Sequence, residues 1–180
     1  MAGIGDNLKK LIILLSLLII PSFACAEGGS HLFGIPTKIQ AYGQLFVSYN
    51  VTATPVTANT YTTVTVNVEA CSLKRMTYLN NGLMQVDIAG TYLMVASMSF
   101  SDGNINVFHG GISINEAEPL GSREFSRKLN ANGDIGVASM VCIVPNLVVG
   151  DTVGVQVENA TDGSDPTIQY MNVSMVRIGP

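Results

Sequence analysis

The alternation of apolar and polar residues is the feature that most constrains this chain. From residue 41 onward, apolar side chains recur at every second position or in short β-branched runs, and no segment keeps a helical period. The pattern predicts nine strands, at residues 43–49, 61–68, 83–88, 91–100, 105–115, 123–129, 134–144, 151–158 and 167–178. Turns containing Asn, Asp and Gly separate several of them. Strands of this length and spacing are typical of an all-β sandwich or barrel.

The first 26 residues have the three parts of a secretory signal peptide. Lys9 and Lys10 precede an apolar run at residues 11–20, and Ala24 and Ala26 form an A-x-A cleavage site. The run is shorter than the roughly 20 residues that cross a bilayer. We therefore expect export, cleavage after Ala26 and no stable membrane span after processing, with an uncleaved anchor as the alternative.

The remaining sequence divides into an arm and one domain. Residues 27–40 contain several glycines and a proline, which predicts a flexible N-terminal arm. Residues 41–180 carry the strand pattern and are expected to form a single folded domain.

Charge and residue types exclude several functions. Only 12% of residues are charged and the net charge is −4, whereas nucleic-acid binders need a basic patch, so no nucleic-acid partner is expected. His109 is the only histidine in the predicted domain, which excludes a His-based metal cluster within one subunit. No Gly-x-Ser-x-Gly elbow occurs, and Glu116 and Glu118 fall in a predicted exposed loop. The sequence thus predicts a protein that is not an enzyme and needs no cofactor.

The segment at residues 159–165 (NATDGSD) gathers oxygen-bearing side chains around a glycine. Asp162 and Asp165 are candidate Ca²⁺ ligands there. The segment lacks the spacing and the terminal glutamate of an EF-hand loop, so an ordinary Asn/Asp/Gly turn is the favoured interpretation.

Two cysteines remain once the leader, with Cys25, is removed. Cys71 and Cys142 could form a disulfide in an exported chain. They could equally be buried, reduced thiols that act as small apolar side chains. Both alternatives stay open at this point.

The predicted strand at residues 91–100 carries apolar residues on both faces. Tyr92, Met94 and Phe100 point one way, while Leu93 and Val95 point the other. A two-sheet sandwich buries only one face of each sheet. The second face therefore predicts a subunit interface, unless loops or the N-terminal arm cover it.

Three motifs resemble the C1q and tumour-necrosis-factor-like jelly rolls. They are the Gly-x-Tyr-x-apolar strand at residues 89–94, the strand ending in a polar Asn at residues 112–115, and the Leu-x-x-Gly-Asp-x-Val signature at residues 147–155. A final alternating strand ending at Ile178 is also similar, so that the resemblance covers residues 42–179. No collagen-like repeat precedes these motifs, and in this respect the chain resembles the stand-alone C1q-like domains of bacteria and phages.

The resemblance implies a jelly-roll sandwich of about ten antiparallel strands that assembles as a homotrimer. The implied interface candidates are Tyr92, Met94, Phe100 and Tyr170. Such domains bind ligands through exposed loops or inter-subunit grooves, and the polar loops here lie at residues 101–104, 116–122 and 159–166. The resulting hypothesis is an exported, non-enzymatic binding module for an unknown protein or glycan.

Two other functions are weighed against this hypothesis. One is a structural or decoration protein of a virus-like particle or a cell surface, although a signal peptide disfavours a capsid role. The other is a carbohydrate hydrolase, which the single domain histidine and the exposed carboxylates disfavour.

Overall fold

The computed structural model describes residues 40–102, 105–131 and 133–180. In these ranges the chain forms eleven strands: β1 Tyr42–Ser48, β2 Thr62–Thr63, β3 Glu69–Lys74, β4 Met76–Tyr78, β5 Met84–Val86, β6 Gly90–Ser101, β7 Val107–Ile114, β8 Glu124–Lys128, β9 Ile135–Leu147, β10 Thr152–Asn159 and β11 Thr167–Gly179. One 3-10 turn, Gly121–Arg123, precedes β8.

The strands make two sheets, and neighbouring strands in each sheet run antiparallel. Sheet one has the order β3-β1-β11-β6-β9. Sheet two has the order β4-β5-β10-β7-β8, and β2 pairs with β10 beside β5. Neighbouring strands are mostly distant in sequence, because the chain passes repeatedly from one sheet to the other.

The core lies between the two sheets and follows directly from the alternation. Along β6, burial switches at each residue, and Tyr92, Met94, Ala96, Met98 and Phe100 are all buried. Sheet two contributes Phe108, which meets Phe100 edge to face with ring centroids 5.4 Å apart. Burying such side chains between facing sheets is the main force that holds a sandwich together.

The all-β sandwich is confirmed, with three differences from the predicted strands. The predicted strand at residues 61–68 shrinks to Thr62–Thr63, and Asn67 there adopts a left-handed backbone with φ 54°. Strands β3 and β4 were not predicted, because β3 is an edge strand with mostly exposed side chains and shows no apolar alternation. Arg75, with φ 55°, separates β3 from β4.

Three of the four residues predicted for a trimer interface lie in the core instead. Tyr92, Met94 and Phe100 are 0, 0 and 2% exposed, so they contact sheet two of their own chain and cannot touch a second subunit. The prediction for these three residues is wrong. Tyr170, in contrast, is 51% exposed on the outward side of sheet one.

Two of the motifs in the sequence interlock at one end of the sandwich. The Asp151 carboxylate accepts hydrogen bonds from Val148 N–H at 2.8 Å and from the Asn115 side-chain amide at 2.8 Å. The Asn115 Oδ1 atom in turn accepts from Thr152 N–H at 2.9 Å. These residues therefore stabilise the start of β10 and have a structural role.

The predicted signal peptide at residues 1–26, with Ala24 and Ala26, lies outside the described residues, as does all of the predicted arm except Gln40. In the part of the chain that is described, no helix is long and apolar enough to cross a membrane.

Candidate functional site

On four of its five strands, the outward side of sheet one is a four-by-four grid of side chains without charge, and the edge strand β3 places Glu69 and Lys74 beside it. Strand register places four residues from each of β1, β11, β6 and β9 side by side on this surface. We call it the uncharged face, and it consists of Tyr42, Gln44, Phe46 and Ser48; Tyr170, Asn172, Ser174 and Val176; Leu93, Val95, Ser97 and Ser99; and Val137, Ser139, Val141 and Ile143.

The apolar side chains of the uncharged face are open to solvent within one chain. Val137, Val141 and Ile143 on β9 are 65, 64 and 58% exposed. The face also contains an open depression of about 570 Å³, lined by residues that include Phe46, Ser97 and Val137. The combination of exposed aliphatic groups, uncharged polar groups and a depression is typical of a contact surface.

The outward side of sheet two differs because it carries paired charged and polar groups. His109 Nδ1 lies 2.8 Å from Glu158 Oε1 across the β7–β10 pair. The Tyr61 hydroxyl donates to Glu124 Oε1 at 2.8 Å, and burial, followed by this bond and the charges of Glu124, Glu158 and Glu118, raises the pKa of Tyr61. The two outward surfaces therefore have different chemistry.

A compact group of polar side chains lies at the end of the sandwich where β6 and β10 finish. We call it the polar loop cluster, and it consists of Asp102, Asn106, Asn159, Asp162 and Ser164. Asp102, Asn106 and Asn159 are 9, 1 and 0% exposed. The cluster brings together two of the three loops singled out in the sequence, those at residues 101–104 and 159–166, although Gly103 and Asn104 lie outside the described residues.

Of the two candidate Ca²⁺ ligands, only Asp162 belongs to this cluster. Its Oδ1 atom accepts from the side-chain amides of Asn106 and Asn159, each at 3.0 Å. The backbone N–H of Ser164, followed by the Ser164 side chain, lowers the pKa of the Asp162 carboxyl. Asp165 instead accepts a hydrogen bond from Val56 N–H at 2.9 Å. The pairing of Asp162 with Asp102, 60 residues away, was not predicted, since no local pattern links the two loops.

The third loop, at residues 116–122, is separate from the polar loop cluster. It follows β7 at the opposite end and folds back, so that Gln156 Nε2 donates to the Glu116 carbonyl at 2.9 Å. Gly111 permits this path, because a Cβ atom there would lie 1.9 Å from the Arg123 carbonyl oxygen. The three loops therefore do not form one surface within a subunit.

Cys71 and Cys142 are free thiols at opposite edges of sheet one. Cys71 lies on β3 and Cys142 on β9, four strand spacings or about 19 Å apart, whereas a disulfide needs Cα atoms within about 7 Å. Cys142 is buried, which raises the pKa of its thiol, and Cys71 donates to Gln44 Oε1 at 3.0 Å. Of the two alternatives that the sequence left open, a disulfide within one chain is contradicted, and both thiols are reduced, although only Cys142 is buried and Cys71 is partly exposed.

Comparison with known proteins rests on structure, because no family profile matches the sequence and no curated protein matches it. Solved structures do match. The Eiger TNF of S. frugiperda aligns with a TM-score of 0.54 and 13% identity over 77% of this chain and 94% of its own. Murine APRIL aligns with a TM-score of 0.54 and 15% identity, over 78% of this chain and 100% of its own. The globular domain of zebrafish complement 1qA aligns with a TM-score of 0.54 and 17% identity, over 78% of this chain and 98% of its own.

The fold is a C1q/TNF-like jelly roll. The resemblance read from the motifs is thereby confirmed at the level of fold, as is the jelly-roll sandwich. Sequence identities of 13–17% support a shared fold but not a shared function. What this C1q/TNF-like chain binds therefore has to be argued from its own surfaces.

Proposed function

We propose that this protein is an exported, non-enzymatic binding module that assembles as a homotrimer through the uncharged face. It binds a protein or glycan through the loops at one end of the jelly roll. The single observation that carries the proposal is the uncharged face, in which sixteen adjoining positions contain no Asp, Glu, Lys or Arg.

A second copy of the chain is the occupant that suits this face. Charged residues are depleted from the centres of protein interfaces, and exposed aliphatic groups gain free energy when a partner covers them. The outward side of sheet two keeps charges such as Glu124 and Glu158, so only one side of the sandwich suits burial. The family resemblance implies three copies, and a closed ring would cover the face on every subunit.

The loop end is the surface proposed for recognition. Asp102 and Ser164 bring the described parts of two loops together there, and three copies on one assembly would turn a weak contact into a multivalent one. The loop at residues 116–122 lies at the opposite end and is left out of this surface.

A binding rather than a catalytic role is supported by the side chains present. Among residues 40–102, 105–131 and 133–180, no three His, Cys, Asp or Glu side chains are grouped to hold a metal ion. His109 is paired with Glu158, and Glu116 and Glu118 are exposed. Incubation with a glycan panel should give binding without turnover. Turnover that a single carboxylate substitution abolishes would instead support the hydrolase alternative.

The first experiment measures the molar mass of the purified protein by size-exclusion chromatography with light scattering. Intact-mass spectrometry of the same sample gives the mass of one chain and shows whether residues 1–26 have been removed. We expect the molar mass in solution to be three times the mass of one chain. A molar mass equal to that of one chain would overturn the assembly, and co-purification with particles would favour the decoration alternative.

A matched pair of variants locates the interface. Val141→Asp places a charge on the uncharged face, while Val149→Asp changes a valine of similar exposure, 65% against 64%, in the β9–β10 turn. We expect V141D to be a folded monomer and V149D to remain a trimer. Equal masses for the two variants would show that the subunits meet elsewhere.

A further inference from the structure

The polar loop cluster has the composition of a cation site. We infer that it binds a single Ca²⁺ ion within each subunit, through side-chain oxygens of Asp102, Asp162, Ser164 and Asn106. The site joins the loop that follows β6 to the loop that follows β10. It does not depend on trimer formation, because all four side chains come from one chain.

Three oxygen atoms from these side chains converge on one point. Asp162 Oδ1 and Ser164 Oγ lie 3.0 and 2.6 Å from Asn106 Nδ2, and Asp102 Oδ2 also accepts from that nitrogen. The Ser164 hydroxyl donates to Asp102 Oδ2 at 2.5 Å and the Ser164 backbone N–H donates to Asp162 Oδ1 at 2.9 Å, so Ser164 links the two carboxylates. Two carboxylates and a hydroxyl are hard oxygen ligands of the kind that Ca²⁺ prefers.

Asn106 provides the observation that points to a missing ligand. Its side chain reaches into the cluster and is 99% buried, since only 1% is exposed, yet no residue that the structure describes bonds to its Oδ1 atom. Three acceptors surround its Nδ2 atom, which carries only two N–H groups. A buried carbonyl without a donor is costly.

A cation among the acceptors would give Asn106 Oδ1 the partner that it lacks. A half-turn of the Asn106 amide exchanges its nitrogen and oxygen with little change in shape, and brings Oδ1 to the carboxylates as a ligand. The Ser164 hydroxyl proton then turns away from the site, so that its oxygen also faces the ion.

The number of ligands predicts a weak but selective site. Ca²⁺ takes six to eight oxygens, so four side chains leave positions for water or backbone carbonyls, and we expect a Kd of about 10⁻⁴–10⁻³ M, as in extracellular modules. Mg²⁺ requires a strict octahedron and shorter distances, and it gives up water reluctantly. We therefore expect Mg²⁺ to bind at least tenfold more weakly.

Isothermal titration calorimetry of the purified protein with CaCl₂ and with MgCl₂ tests the site. The wild-type protein should bind one Ca²⁺ per chain, and Asp162→Asn should weaken binding at least tenfold. Asp165→Asn is the matched control, because it makes the same charge change in the same loop at a carboxylate that faces Val56. We expect D165N to bind within twofold of the wild type.

Three results would overturn the inference. The first is that the wild-type protein gives no saturable heat up to about 10 mM CaCl₂, a concentration above the expected Kd range. The second is that Mg²⁺ and Ca²⁺ bind with equal affinity. The third is that D162N and D165N lose Ca²⁺ affinity to the same extent. Circular dichroism confirms that each variant is folded. If D162N does not fold, the wild-type titrations with CaCl₂ and MgCl₂ still show whether the protein binds Ca²⁺ and prefers it to Mg²⁺. A trimer that binds no Ca²⁺ would reject the site alone, and a monomer that binds Ca²⁺ would reject the assembly alone.

Discussion

At the scale of single residues, Tyr92 carries a polar atom into the core. Its side chain is buried between the sheets, and its hydroxyl donates to the Ile88 carbonyl at 2.6 Å. Burial, as the largest cause, raises the pKa of Tyr92. The polar atom of this core residue is therefore satisfied inside the subunit, as buried hydroxyls generally are.

Removing that hydroxyl should destabilise the protein. Tyr92→Phe leaves the Ile88 carbonyl without its donor, so we expect a loss of about 1–2 kcal/mol in the free energy of unfolding, measured in urea. Tyr49→Phe, at a side chain 68% exposed, is the control and should change it by less than about 0.5 kcal/mol. A loss in Y92F no larger than in Y49F would contradict the role assigned to the bond.

The same residue predicts the direction of an alkaline effect. Because the folded protein raises the pKa of Tyr92, the unfolded chain ionises first, at about pH 10. The stability linked to this residue is present below that pH and is lost as the pH rises toward the folded pKa. Y92F should therefore lose less stability than the wild type above about pH 10.

At the scale of elements, β7 shows why two glycines occur together in a buried strand. Gly110 contacts the Phe125 ring from β8, and Gly111 lies under the segment at residues 116–123. A side chain at Gly111 would meet the Arg123 carbonyl and Pro119. The alternation predicted the strand but gave no sign of the loop that covers it, since that contact is made by residues on another element.

Gly111→Ala tests this covering contact. The added Cβ would have to displace the Arg123 backbone, so we expect a loss of about 1–3 kcal/mol in the free energy of unfolding. Gly179→Ala is the control, because its Cβ would lie 3.7 Å from the nearest atom. Urea denaturation measures both, and equal stabilities would show that the segment at residues 116–123 moves away without cost.

At the scale of the whole molecule, the two sides of sheet one have different partners. The inward side contacts sheet two, and the outward side carries the uncharged face on four of its five strands. If a second copy covers that face, folding and assembly are linked, and the stability of each chain depends on protein concentration.

Urea denaturation over a hundredfold range of protein concentration measures this link. For the wild type we expect the midpoint to rise by roughly 1 M across the range, because association stabilises only the folded chains. V141D should unfold at one midpoint throughout. A wild-type midpoint that does not move, with trimers present at every concentration, would show that unfolding of the chain is not coupled to dissociation.

The amino-acid sequence alone determined the strand periodicity, most strand positions and the fold class. Side chains two apart share one face of a strand, and that rule needs no tertiary structure. The sequence could not decide which face of β6 lies inside, because Met94 and Val95 are both apolar. That choice was made by the packing of sheet two against Tyr92, Met94 and Phe100.

The candidate sites depended on tertiary structure still more strongly. Asp162 was singled out from its local turn, whereas Asp102 and Asn106 join it only because β6 and β10 end where β7 and β11 begin. The separation of Cys71 from Cys142 likewise follows from strand order, which places their strands at opposite edges of one sheet. Local patterns report which face a residue occupies, but contacts between distant segments arise when the sheets pack, and they decided which residues meet.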